Sequence, residues 1–196
     1  MAQGKPLVIN LAAVDATSGH GRSLKQPIAK AVGLRKGESH RPTILDGTAG
    51  LGEDAALLVG LGCKITAIEQ HPVVYALLED AVHRAGLPIT LKHTDSHQSL
   101  RQLADEDQPP DIVYLDPMFP APQNRRAKQR KPMRLLAWLL NHWPATDETA
   151  MLNAARASAQ QRVVVKRPKH APDYADTEPA FRHIGSAVRY DIYPAK

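Results

Sequence analysis

The stretch that most constrains this chain is Asp46-Gly47-Thr48-Ala49-Gly50-Leu51-Gly52-Glu53-Asp54, set between an apolar run and a helical pattern. Thr43-Ile44-Leu45 before it reads as a buried strand, and the residues from Asp54 onward read as the start of a helix. A glycine-rich turn from strand to helix lets backbone approach a ligand closely and presents free N–H groups at the helix start. Its spacing is G-x-x-G-x-G. That is neither the G-x-G-x-x-G of dinucleotide sites nor a turn closed by G-K-[ST] for a nucleotide phosphate, and it disfavours a nicotinamide dehydrogenase. Asp46 directly before the glycines would repel a pyrophosphate and welcome a cation such as S-adenosylmethionine, with its ammonium and sulfonium. Taken alone, the segment is equally a plain tight turn.

The rest of the chain adds weight to the ligand reading. Strands over 43–46, 63–68, 89–93 and 111–115 alternate with helices over 53–61, 72–85 and 97–104. Pro72 opens the longest of these helices, and Gly86 and Pro88 lie beyond it. This rhythm implies an α/β, doubly wound, mostly parallel sheet. In such sheets ligands sit beyond the carboxyl ends of the strands. Four successive strand ends here carry Asp46, Glu69, the pair Asp95-Ser96, and Asp116. Glu69, 17 residues past Gly52, is placed to hold a ribose hydroxyl pair, and Asp95 with Ser96 to reach an adenine edge. One acid at a strand end is commonly a turn former or a cap. Four along one sheet edge suggest an adenosyl-ligand site, with Asp46, Gly47, Ala49, Gly50 and Gly52 at the methionine end.

Asp116-Pro117-Met118-Phe119 follows the fourth strand. A carboxylate and a carbonyl there offer two acceptors for the two N–H donors of an exocyclic amine, which would aim its lone pair at a methyl carbon. Phe119 can stack on a flat base. The bland alternative is a proline turn with a core phenylalanine.

Arg125, Arg126, Lys128, Arg130, Lys131 and Arg134 crowd ten residues just beyond this motif. Lys166 and Arg167 follow the apolar strand 162–165. Net charge is +5 and the pI is about 9.4. Basic segments flanking the proposed mouth suit phosphate contacts, so Arg125, Arg126, Lys128, Arg130, Lys131, Lys166 and Arg167 are candidates for nucleic-acid binding. Charge does not distinguish RNA from DNA. Leu135 to Leu140, including Trp138, reads as helical core, 147–160 as a helix, and 187–193 as an antiparallel edge strand. Residues 7–11 read as a strand and 24–32 as a helix. The single cysteine, Cys63, excludes an internal disulfide, and the nine histidines lack metal-ligand spacing, so no metal is expected. No apolar run reaches the roughly 20 residues of a membrane span. A cytoplasmic location is expected.

Together, Leu45-Asp46-Gly47-Thr48-Ala49-Gly50-Leu51-Gly52, Val113-Tyr114-Leu115-Asp116-Pro117-Met118-Phe119-Pro120, Arg162-Val163-Val164-Val165-Lys166-Arg167-Pro168 and Tyr190-Asp191-Ile192-Tyr193 resemble the bacterial small-subunit ribosomal RNA guanine-N2 methyltransferase J family. The resemblance implies a class I methyltransferase (Rossmann-like) fold with a seven-stranded sheet. It implies S-adenosylmethionine as donor and a guanine of 16S ribosomal RNA, in RNA or in the 30S particle, as acceptor. It places cofactor contacts on Glu53, Asp54, Glu69, Gln70, Asp95, Ser96 and Asp116. Glu53 and Gln70 stand where family members usually have arginine, and Asp95 where they usually have serine. Residues 1–42 are expected to form an N-terminal extension shortened relative to the family, and 43–196 the catalytic domain. DNA adenine or protein glutamine as acceptor, and a non-catalytic RNA-binding or ribosome-assembly role, are the other readings of these residues.

Overall fold

The structure, a computed structural model, describes residues 7–15, 18, 23–104, 108–117 and 146–196. Phe119, the basic run from Arg125 to Arg134 and the Leu135–Leu140 segment lie outside the described residues. Seven strands form one sheet: β1 (Thr43–Asp46), β2 (Lys64–Glu69), β3 (Ile89–His93), β4 (Ile112–Leu115), β5 (Arg162–Pro168), β6 (Phe181–Ile184) and β7 (Val188–Pro194). Their spatial order is β3-β2-β1-β4-β5-β7-β6. β1 to β5 are mutually parallel, and β7 runs antiparallel between β5 and β6. The expected antiparallel strand therefore stands at the β5 side of the sheet. The sequence reading does not anticipate β6, which pairs outside it. Arg189, on β7, is held by the Asp191 carboxylate (2.9 Å) and by the carbonyl of Ala171 (2.6 Å), and Arg182, on β6, by Asp173 (2.6 Å). The bonds to Ala171 and Asp173 fasten the two strands to the loop after β5.

The helices are α1 (Pro27–Ala31), α2 (Glu53–Gly60), α3 (Pro72–Ala85), α4 (Ser96–Leu103) and α5 (Glu148–Ser158). Strand residues divide between two cores by the period-2 rule. Ile44, Ile112, Tyr114 and Val164 pack with α1, α2 and α3 on one face, while Leu45, Val113, Leu115, Val163 and Val165 pack with α4 and α5 on the other. The alternation is what makes these short runs strands covered on both sides.

Local signals set most boundaries. Pro72 occupies the first turn of α3, whose preceding His71 accepts the Val73 N–H at 3.2 Å, and Gly86 ends it at φ +61°. Asp95 caps α4 and Asp147 caps α5. Two expectations change. Residues 7–11 join no strand: they lead into a 3-10 turn, Leu11–Ala13, with Ile9 and Leu11 buried beside α3 and the Ile9 carbonyl held by Arg84 at 2.6 Å. α1 begins at Pro27 rather than Leu24, because proline suits a first turn and the Lys25 N–H is taken by the Ser23 hydroxyl.

Candidate active site

The direction of strand addition reverses between β1 and β4, which is the crevice where doubly wound sheets hold ligands. The glycine turn is pinned over it from both neighbours. The Gly47 N–H donates to the Tyr114 carbonyl (2.9 Å) and the Ala49 N–H to the Ile68 carbonyl (3.0 Å). Asp46 is buried at 2 % exposure and accepts the Thr48 N–H at 3.0 Å. Burial pushes its carboxyl up to about 8, partly offset by that bond, with the nearby Asp54 and Asp116 adding to the rise. Glu69 accepts backbone N–H groups from Gly50 (3.0 Å), from His71 (2.8 Å) and from Gln70. Burial raises its pKa while these N–H groups oppose the rise. With three of its roughly four acceptor sites engaged, the carboxylate keeps capacity for a further donor.

Asp116 follows β4. Its N–H donates to the Thr48 hydroxyl at 2.6 Å, which ties the motif after β4 to the turn after β1. Its Oδ2 accepts from the Lys166 ammonium (2.9 Å), which also donates to Asp54 Oδ2 (2.7 Å). The Tyr114 hydroxyl donates to that same Asp54 oxygen at 2.6 Å. Lys166 comes from β5 opposite Tyr190 of β7, and Asp54 from the first turn of α2. Burial raises the Asp116 pKa; Lys166 opposes the rise and Asp54 adds to it. Burial alone would lower the Lys166 pKa, but Asp54 and Asp116 overturn that and hold it raised and charged. The Asp116 side chain remains 41 % exposed, so the carboxylate is packed on one side and open on the other.

The remaining predicted residues fall into three groups. Gly50, at φ +54°, turns its N–H to Glu69, whereas Gly52, at φ +83°, faces the core: a Cβ there would lie 2.5 Å from Leu78 Cδ1. Ser96 is buried and spends its hydroxyl on the Gly47 carbonyl, and exposed Asp95 accepts the Gln98 N–H. Gln70 is half-buried after β2, Glu53 is exposed at the start of α2, and Pro117 is half-buried after Asp116.

The two basic candidates on β5 are corrected. β5 runs on to Pro168 alongside β7, so Lys166 and Arg167 are strand residues pointing to opposite faces. Arg167 is 1 % exposed, donates to the Pro172 carbonyl (2.9 Å) and lies 5.3 Å from the Tyr174 ring centre. It is not a surface phosphate ligand. Lys166 is engaged by two carboxylates of the site itself. Sequence reasoning assigned no role to Thr48, Tyr114 or Tyr190. For Tyr114 a signal existed: it lies two residues before Asp116, on the same face of an apolar strand.

The family model for SAM-dependent methyltransferases matches residues 2–195. Ribosomal RNA small subunit methyltransferase J of Vibrio campbellii is 43 % identical over 182 residues, covering 86 % of this chain and 69 % of that protein. The protein of the same name from Shewanella amazonensis is 44 % identical over 185 residues, 89 % of this chain and 71 % of its own. The chain belongs to the ribosomal RNA small subunit methyltransferase J family. A solved S-adenosylmethionine-dependent methyltransferase of Neisseria gonorrhoeae superposes on all of this methyltransferase and on 76 % of its own chain, with a TM-score of 0.70 and 31 % identity. The Thermus thermophilus 16S rRNA N2 G1207 methyltransferase, solved with AdoMet and guanosine, shares the fold at a TM-score of 0.56 and 15 % identity, over 100 % of this chain and 45 % of its own.

The methyltransferase uses S-adenosylmethionine, and the donor set at the crevice fits that group. Buried Asp46 beside the turn can take a cationic methionine end, and the remaining acceptor capacity of Glu69 suits a ribose hydroxyl.

Proposed function

We propose that this methyltransferase modifies the exocyclic N2 amine of a guanine in small-subunit ribosomal RNA. The observation that carries the reading is the placement of Asp116 and Pro117 at the end of β4, bonded through Thr48 to the glycine turn. The family name supplies the class of acceptor.

Guanine's amine is a weak nucleophile because its lone pair is delocalised into the ring. Asp116 Oδ1 and the Pro117 carbonyl would each accept one amine N–H, pyramidalising the nitrogen and directing its lone pair to the cofactor side. Bound there, S-adenosylmethionine would supply an electrophilic methyl carbon to that lone pair, its sulfur keeping the electron pair of the bond given up. Asp116 would then take the surplus proton from the methylated nitrogen, leaving a neutral secondary amine. Glu69 would bind the ribose hydroxyls, Asp46 and the turn the methionine end, and Asp95 and Ser96 would lie at the adenine side. From the sequence, Phe119 is the candidate for stacking on the base and the run from Arg125 to Lys131 for phosphate contact.

Labelled S-adenosylmethionine should transfer methyl to 30S particles or 16S ribosomal RNA, with the label recovered as N2-methylguanine. Label recovered only on DNA or on protein would overturn the reading. Asp116→Ala should abolish turnover while cofactor affinity measured by calorimetry stays within about tenfold.

A further inference from the structure

Lys166 sits where three elements of the site meet: β5, the first turn of α2 and the segment after β4. Its ammonium makes two short bonds, to Asp54 Oδ2 and Asp116 Oδ2, with Tyr114 completing the Asp54 end. Among the described residues Asp116 Oδ1 accepts nothing, so this clamp commits one oxygen of the carboxylate and leaves the other for a donor from outside. A surface lysine tethered to one acid would do neither.

We propose that Lys166 is a positioning residue for amine methylation, holding Asp116 in one rotamer with Oδ1 presented and keeping its carboxylate ionised to receive the amine proton. The inference rests on Asp116 as the group that holds the amine. Among the described residues, the charged and titratable groups facing Asp116 are Lys166 from β5, Asp54 from α2, Asp46 from β1, Tyr114 from β4 and Tyr190 from β7. Lys166 is the one cation in that set. Burial and Asp54 both favour the protonated acid, and a protonated Asp116 could not accept the amine's proton.

An opposite charge at hydrogen-bond distance lowers a carboxyl pKa by about 1–3. In Lys166→Met the acid limb of kcat against pH should therefore rise by at least about one pH unit. At neutral pH kcat should fall about 10- to 100-fold, with KM for S-adenosylmethionine changing less than about threefold. Lys166→Arg keeps the charge and should restore the limb to near its wild-type place. Lys166→Gln serves if the methionine variant folds poorly. A fall in kcat with the acid limb unmoved, or no fall, would overturn the proposal. Carbon-13 carboxyl titration of the unliganded protein, with Asp116 assigned through Asp116→Asn, tests the same link without turnover. Equal Asp116 titration in wild type and Lys166→Gln would also overturn it. If the wild type methylates no ribosomal RNA, the substrate reading fails, while this titration still decides the Lys166–Asp116 coupling.

Discussion

The Ser96 hydroxyl donates to the carbonyl oxygen of Gly47 at 2.5 Å, joining the first residue of α4 to the first residue of the glycine turn. Two residues expected to face a ligand separately are thus bonded to each other in the interior. The bond braces the turn from the β3 side of the crevice, as the Thr48–Asp116 bond braces it from the β4 side.

Replacing Ser96 with alanine removes the donor and leaves the Gly47 carbonyl buried without that partner. Such a loss costs about 1–3 kcal/mol. The urea midpoint should fall with the slope unchanged, and calorimetry should show weaker cofactor binding, because the turn is no longer held in place.

Asp46 makes the unliganded protein pH-sensitive. Its folded pKa, about 8, lies above the ordinary 3.8, so the folded state keeps a proton that the unfolded state releases. The contribution of the protonated acid is complete below pH about 4 and is lost as pH rises through about 8. Asp46→Asn keeps an acceptor for Thr48 without the charge. Its melting temperature relative to wild type should climb from pH 5 to pH 8 and then level off. S-adenosylmethionine, being cationic, should bind the wild type more tightly as pH rises over the same window, with proton release detected by calorimetry in buffers of different ionisation enthalpy. The asparagine variant should show neither.

Glu69→Gln turns one acceptor oxygen into an NH2 group facing a backbone N–H, either of Gly50 or of His71. One of those two amides loses its partner, and the negative charge that would hold a ribose hydroxyl is gone. Cofactor affinity should drop by at least about tenfold, the equivalent of one charge-assisted hydrogen bond. Calorimetry with unchanged affinity would remove Glu69 from the site.

Gly52→Ala meets two obstacles: a φ of +83° and a Cβ 2.5 Å from Leu78 Cδ1, which is itself fully buried. Overpacking of this kind costs about 1–3 kcal/mol, with left-handed backbone adding about 1 kcal/mol or more. Adding Leu78→Ala should remove the clash but not the backbone strain. A double-mutant cycle should therefore show the alanine at 52 costing less in that background.

Much of the fold was legible because its signals are local. The span of β1, and the Pro72 opening and Gly86 end of α3, follow from neighbouring residues, since period-2 burial, a first-turn proline and a left-handed glycine need nothing distant. β6 was not legible: Phe181-Arg182-His183-Ile184 is short and mixed, and it is a strand because β7 runs beside it. Leu7 to Leu11 failed in the opposite sense, an apolar run with no sheet edge to join that packs beside α3 instead.

The residues alone settled that acids would end successive strands and that a glycine turn would enter α2, because strand direction and turn chemistry are properties of contiguous chain. They could not settle what those acids would touch. Lys166 and Arg167 are adjacent cations with the same local reading, yet one joins Asp54, 112 positions away, and the other is buried against Tyr174. Pleating sends neighbouring side chains to opposite faces, and only the stacking of β5 between β4 and β7 decides which face opens on the crevice.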